Sequence, residues 1–119
     1  MANESRYVVI TTTVDNDEAA DRITAALLEP RLVACVQSSA IHSSFWWKGE
    51  LQQVDETRLQ IKTPASKSAV VIATIRAVHP YEVPEIVVTP ILDGNPAYLK
   101  WIDEETAPFG TPPPPPSRP

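Results

Sequence analysis

Phe45-Trp46-Trp47-Lys48-Gly49-Glu50-Leu51 reads as two strand ends joined by a two-residue turn, and that reading decides the fold. Glycine accepts the positive φ of tight hairpin turns, while aromatic and aliphatic flanks favour extended backbone. Upstream, Leu32-Val33-Ala34-Cys35-Val36 starts a strand that resumes after polar residues through Ile41 to Trp47. Downstream, Glu50 to Thr63 returns, with a polar middle from Gln52 to Arg58 and alternation restored at Leu59 and Ile61. With the turn at Lys48-Gly49 and no bulge, Trp46 faces Leu51, His42 faces Asp55, Val36 faces Ile61 and Cys35 faces Lys62. The switch of apolar parity between Leu51 and Val54 points instead to a bulge near Gln53. Either way, the hairpin is longer than one compact domain needs.

Outside the hairpin, Tyr7 to Val14 is β-branched from Val8 on and predicts a strand covered on both faces. Asp15 to Glu18 has capping-box spacing, followed by Ala19, Ala20, Ile23, Ala26 and Leu27 at helical spacing, with Pro30 as the stop. Pro64 at a first helical position predicts a second helix with its stripe at Val71, Ile75 and Val78, broadened by Ile72 and closed by His79-Pro80. Ile86 to Leu92 predicts a fourth strand in which Pro90 marks an edge or a bulge. Asn95-Pro96 caps a short helix containing Leu99, Trp101 and Ile102.

The order β-α-β-β-α-β plus a terminal helix predicts an α+β, ferredoxin-like antiparallel sheet over residues 1–106. A proline-rich tail follows at 107–119, as polyproline II or disorder outside the core; it either solubilises the chain or offers a ligand to an SH3- or WW-like groove. Two helices cover one face of a four-stranded sheet. The apolar character of the first and fourth strands then calls for self-association on the other face.

At 119 residues the chain can bury a core without disulfide or metal support. A net charge of −5 and no Lys/Arg cluster argue against nucleic-acid binding. No apolar run approaches the roughly 20 residues of a membrane span. Met1 to Arg6 lacks a signal peptide's apolar core, and one cysteine, Cys35, fits a reducing cytoplasm. No nucleophile elbow, phosphate loop or HExxH points to catalysis, so the expectation is a non-enzyme.

His79-Pro80-Tyr81-Glu82-Val83-Pro84-Glu85 concentrates an imidazole, a phenol and two carboxylates on a backbone stiffened by two prolines. Such a rigid connector is a binding site or an assembly joint. His79, Glu82 and Glu85 are candidate metal ligands. Against this, His79 at a helix end is also suited to hydrogen-bond carbonyls, and either glutamate to pair with Lys62 or an arginine across a subunit junction. Tyr81 is better suited to packing with a hydroxyl bond than to chemistry. Cys35, in an apolar run, is expected to act as a small hydrophobe, and His42 to lie at the surface. Trp46 and Trp47 point opposite ways, one inward and one towards a subunit contact.

Four segments carry a resemblance: Leu32 to Val36, Phe45 to Glu50, His79 to Glu85, and Gly94-Asn95-Pro96-Ala97-Tyr98-Leu99-Lys100-Trp101-Ile102, with Lys62-Thr63 in support. Together they resemble the CutA family of divalent cation tolerance proteins over roughly residues 6 to 105. The resemblance implies a ferredoxin-like fold in a tight homotrimer similar to PII signalling proteins, with hairpins pairing across subunits. It also implies binding of copper or another divalent metal ion and no family-wide reaction. In some bacterial members copper ligation involves a first-strand cysteine with the residues matching His79 and Glu85. Here Thr11 or Thr12 holds the cysteine's place, which weakens the case for a thiolate-type Cu(I) site. Two other readings stand beside the metal-binding trimer. One is a PII-like sensor binding a small anionic metabolite at subunit clefts lined by Lys62, Trp46, Cys35 and the polar groups of the 79–85 motif, Tyr81 among them. The other is a structural trimer acting through protein contacts alone.

Overall fold

The computed structural model describes residues 5–107. The extreme N-terminus and, from residue 108 on, the expected proline-rich tail lie outside the described residues.

β1 (Tyr7–Val14) has the expected bounds and occupies the middle of the sheet. β3 (Glu50–Pro64) pairs with it on one side and β4 (Ile86–Ile91) on the other; β2 (Cys35–Trp47) pairs with the outer edge of β3. All three pairings are antiparallel. Alternation along β1 sends Val8, Ile10, Thr12 and Val14 to one face, in register with Thr63, Ile61, Leu59 and Thr57 of β3. The helices α1 (Asp17–Leu28) and α2 (Ser68–Val78) cover that face. Ile10 and Ile61 meet Ile23, Leu27, Val71 and Ile75 there, all with no exposed surface. Burial of each such side chain contributes about 1.5–3 kcal/mol.

Tyr7, Val9 and Thr11 point to the opposite face with Arg58, Gln60 and Lys62. α3 (Pro96–Glu105), capped by Asn95 with Pro96 at its first position, reaches only the Tyr7 end of that face. There Tyr7 donates its hydroxyl to Asp103, and the Lys62 ammonium lies over the Tyr98 ring. The middle is uncovered within one chain: Gln37, Gln60 and Val87 are exposed, and Val9 is half-buried. The expected cover on both faces of β1 and β4 is therefore met by this chain on one face only.

The hairpin register is the bulge-free one, from Cys35↔Lys62 through Val36↔Ile61 and His42↔Asp55 to Trp46↔Leu51. Lys48 and Gly49 both take positive φ, 50° and 82°, so the turn matches the twist of its strands. The parity switch near Gln53 has another cause. β1 ends at Val14, opposite Thr57, so the hairpin beyond residues 41 and 56 is a two-stranded ribbon with no core side to encode. For the same reason neither Trp46 nor Trp47 packs inward; they are 72% and 38% exposed.

Four boundaries differ from the sequence reading, the slightest being β4, which ends at Ile91 rather than Leu92. Asn16, not Asp15, caps α1: its side-chain oxygen accepts from the Ala19 amide at 2.7 Å, and Asp17 and Glu18 fall in the first turn. Pro64 ends β3 rather than opening α2. Its φ of −62° suits either role, and a short 3-10 turn at Ala65–Lys67 intervenes. β2 begins at Cys35 and runs unbroken through its polar stretch, because an edge strand does not need apolar residues on its open side. Pro90 sits in β4, the other edge, as expected.

The cap assignment is testable by denaturation. Asn16→Ala is expected to cost about 1 kcal/mol, and Asp15→Ala distinctly less; equal losses would contradict Asn16 as the cap.

Candidate functional site

α2 ends where His79 turns extended, with φ −76° and ψ 135°, as a residue before proline must. Its ring then bridges two backbones: Nε2 lies 2.9 Å from the Thr13 carbonyl, and Nδ1 accepts from the Tyr81 amide at 3.1 Å. A carbonyl only accepts, so Nε2 carries the proton and Nδ1 is bare, which defines a neutral ring in one tautomer. Burial pushes the imidazole pKa below its ordinary value, opposed by the Thr13 hydrogen bond and the Glu56 and Asp15 carboxylates.

The Tyr81 ring meets the His79 ring edge-on at 4.8 Å between centroids. Its hydroxyl donates to Glu56 Oε2 at 2.7 Å. Burial first, and then this carboxylate, push the phenol pKa well above its ordinary value, so Tyr81 is a fixed donor. Glu56 is 8% exposed, so the bond satisfies a nearly buried acid. One residue on, Glu82 reaches Lys48 at the hairpin tip, 3.6 Å away; both are largely exposed, so the pair contributes little stability. Loop 79–85 thus lies along the outer ribbon and touches it at both Glu56 and Lys48. Glu85 is exposed and enters no ion pair among the described residues.

The predicted ligands share this loop but do not converge. Among the described residues no three His, Cys, Asp or Glu side chains form a group able to hold a metal ion. Within one chain the donors do not fit a closed site, since both His79 nitrogens serve the backbone and Glu82 faces a lysine. Cys35 lies opposite Lys62, as expected, four residues along the sheet from the pair of Thr13 with Arg58. Thr11 points to the uncovered face and Thr12 into the core. Lys62 donates to Gln37 at 2.8 Å, while Trp46 pairs with Leu51, eleven residues away on β3. At about 3.3 Å per residue the two are too far apart to line one cleft in a single chain.

Sequence reasoning passed over an open cleft of about 640 Å³ between the α1 N-terminus and the hairpin. Asp15, Asp17, Asp55 and Glu56 line it with His42, whose Nδ1 is 2.8 Å from Asp55 Oδ1. The cross-strand register had already paired His42 with Asp55. Nothing in the sequence pattern brought Asp15 and Asp17 to them.

Two outcomes test this geometry. Tyr81→Phe leaves Glu56 without its donor and is expected to cost about 1–3 kcal/mol in denaturation at pH 7. For His79 the folded pKa lies below the unfolded value of about 6.5, so its contribution is full above that pH and is lost as pH falls through the lower folded value. Melting temperatures from pH 8 to 5 should therefore fall more steeply for the wild type than for His79→Gln; parallel curves would remove His79 as a cause.

Residues 8–105 match the family described as CutA1 divalent ion tolerance protein. The protein CutA homolog of Xenopus laevis is 44% identical over 93 residues, covering 77% of this chain and 62% of that protein. The divalent-cation tolerance protein CutA of Thermus thermophilus is 40% identical over 99 residues, 82% of this chain and 96% of its own. The solved structure of the periplasmic divalent cation tolerance protein CutA of Archaeoglobus fulgidus aligns with a TM-score of 0.82 at 38% identity, over 84% of this chain and 98% of that one. The chain spans 53% to 62% of the length of the CutA proteins of Xenopus laevis, Mus musculus, Oryza sativa and Homo sapiens. Motifs, sheet order and these likenesses agree over one span of residues, and the chain belongs to the CutA1 divalent ion tolerance protein family.

Proposed function

We propose that this chain works without catalysis, as a cytoplasmic homotrimer that binds divalent cations, copper foremost, in tolerance of or response to metal ions. The observation that carries this reading is the crowding of His79, Glu82 and Glu85 into one rigid loop at the border of an uncovered sheet face. Imidazole and carboxylate suit Cu(II), and the family's name refers to divalent ions. The donors of one chain do not close a site, so further oxygen ligands come from a neighbouring copy across the open face. His79 would give up a backbone bond to ligate. The strand order β2-β3-β1-β4 with its two covering helices supports a ferredoxin-like topology, and the bare ribbon edges support hairpin pairing between copies. No helix of the described residues is long and apolar enough to cross a membrane.

Light scattering should return three times the 13.1 kDa chain mass. Copper(II) titrated into the pure protein is expected to saturate at a simple ratio per subunit, followed by calorimetry and visible absorbance. His79→Ala should abolish that saturation; an unchanged titration removes His79 from the site.

A further inference from the structure

Two buried side-chain polar atoms among the described residues lack a hydrogen-bond partner, Thr12 Oγ1 and Arg58 Nε. The first belongs to a neutral hydroxyl. The second is the Nε of a permanently charged guanidinium, where a buried N–H without a partner costs more than at a neutral group. Among the other basic residues, Arg31 pairs with Glu105, Lys48 with Glu82 and Lys100 with Glu104, Lys62 bonds Gln37, and Arg22 and Arg76 lie exposed to water; none of them has a buried nitrogen without a partner among the described residues. Arg58 is half-buried, and its side chain joins no ion pair among the described residues.

Its position explains the deficit. Arg58 sits between Thr13 of β1 and Ser39 of β2, on the face that α1 and α2 leave uncovered. Neither neighbour carries a charge. Glu56, two residues along the same strand, already accepts from Tyr81. No carboxylate among the described residues pairs with Arg58, which leaves its charge open to an acid of a neighbouring copy.

Val9 and Val87 share that face, and Val87 is 47% exposed. A small anion bound to Arg58 would leave these side chains in water, whereas a second copy covers them and answers the charge at once. Suitable carboxylates are at hand: Glu50 beside the hairpin turn and Glu85 in loop 79–85 are exposed and join no ion pair among the described residues. Resting on the homotrimer reading above, we propose that a carboxylate of a neighbouring copy pairs with Arg58, making this guanidinium the charged anchor of assembly. A misaligned neighbour leaves both charges buried and unpaired, so the pair selects one packing arrangement.

Sedimentation over a dilution series tests the anchor, with circular dichroism confirming that each variant is folded. Arg58→Glu sets two negative charges together and is expected to raise the dissociation midpoint roughly a hundredfold. Arg58→Met keeps an apolar stem of similar length and provides the same test if the reversal disturbs folding; it too should weaken assembly. Adding Glu50→Arg or Glu85→Arg to Arg58→Glu should restore assembly for whichever acid is the partner. Variants that dissociate at the wild-type concentration overturn the anchor alone. A wild type that stays monomeric overturns the trimer reading beneath it. Phosphate or citrate binding that Arg58→Glu abolishes while assembly persists assigns the guanidinium to a small anion and overturns the proposal.

Discussion

The pairing of β1 with β3 is the constraint on which the rest of the chain depends. Ile10 lies opposite Ile61, both without exposed surface, and the stripes of α1 and α2 close over them. Because strand side chains alternate strictly, putting Val8, Ile10, Leu59 and Ile61 under the helices sends Val9, Thr11, Arg58 and Lys62 the other way. A core on one side thus defines a chemically mixed surface on the other. α3 answers only its near end, through Tyr7 and Lys62, and loop 79–85 borders the far end through Tyr81 and Glu56.

The loop gains its order from the residues that make it chemically suggestive. His79 replaces a turn of hydrogen-bonded backbone, joining the end of β1 to the Tyr81 amide, and the Tyr81 phenol secures an acid that would otherwise be buried unpaired. A ring whose nitrogens both serve the backbone cannot also ligate without releasing one of them. Under the metal reading, occupancy and loop conformation are coupled at His79: ligation through the bare Nδ1 displaces the Tyr81 amide, so affinity reflects the strength of that contact as well as that of the donors.

Much of this was legible in the residues. β1 is bounded by a polar start and Asp15, and its β-branched run has no competing period. Lys48-Gly49 allows few turn geometries and so named the bulge-free register as one of two, the other being the bulge near Gln53 that the structure does not contain. Pro90 announced an edge, which β4 is. What could not be read depended on distant contacts. Asn16 and Asp15 are equally good caps, and only the path of α1 onto the sheet chose between them. The outer ribbon lost its pattern because no third strand gives it an inside, so Trp46 and Trp47 carried no sign of their surroundings. At the site, the residue types in loop 79–85 were visible but their partners were not. A main-chain carbonyl on Thr13 and a lysine at a hairpin tip leave no trace in local spacing.

The ribbon's strict two-for-two pairing also limits how this hairpin can change length in evolution. A single insertion in one strand beyond Ile41 or Glu56 would need a bulge, or would turn the side chains of the shifted strand to the opposite face. Matched insertions, one residue on each strand, would move the Lys48-Gly49 tip outward by about 3.3 Å while leaving the base of the sheet in register. The reach of the hairpin can therefore drift among relatives while its root, and the charge on Arg58, stay in place.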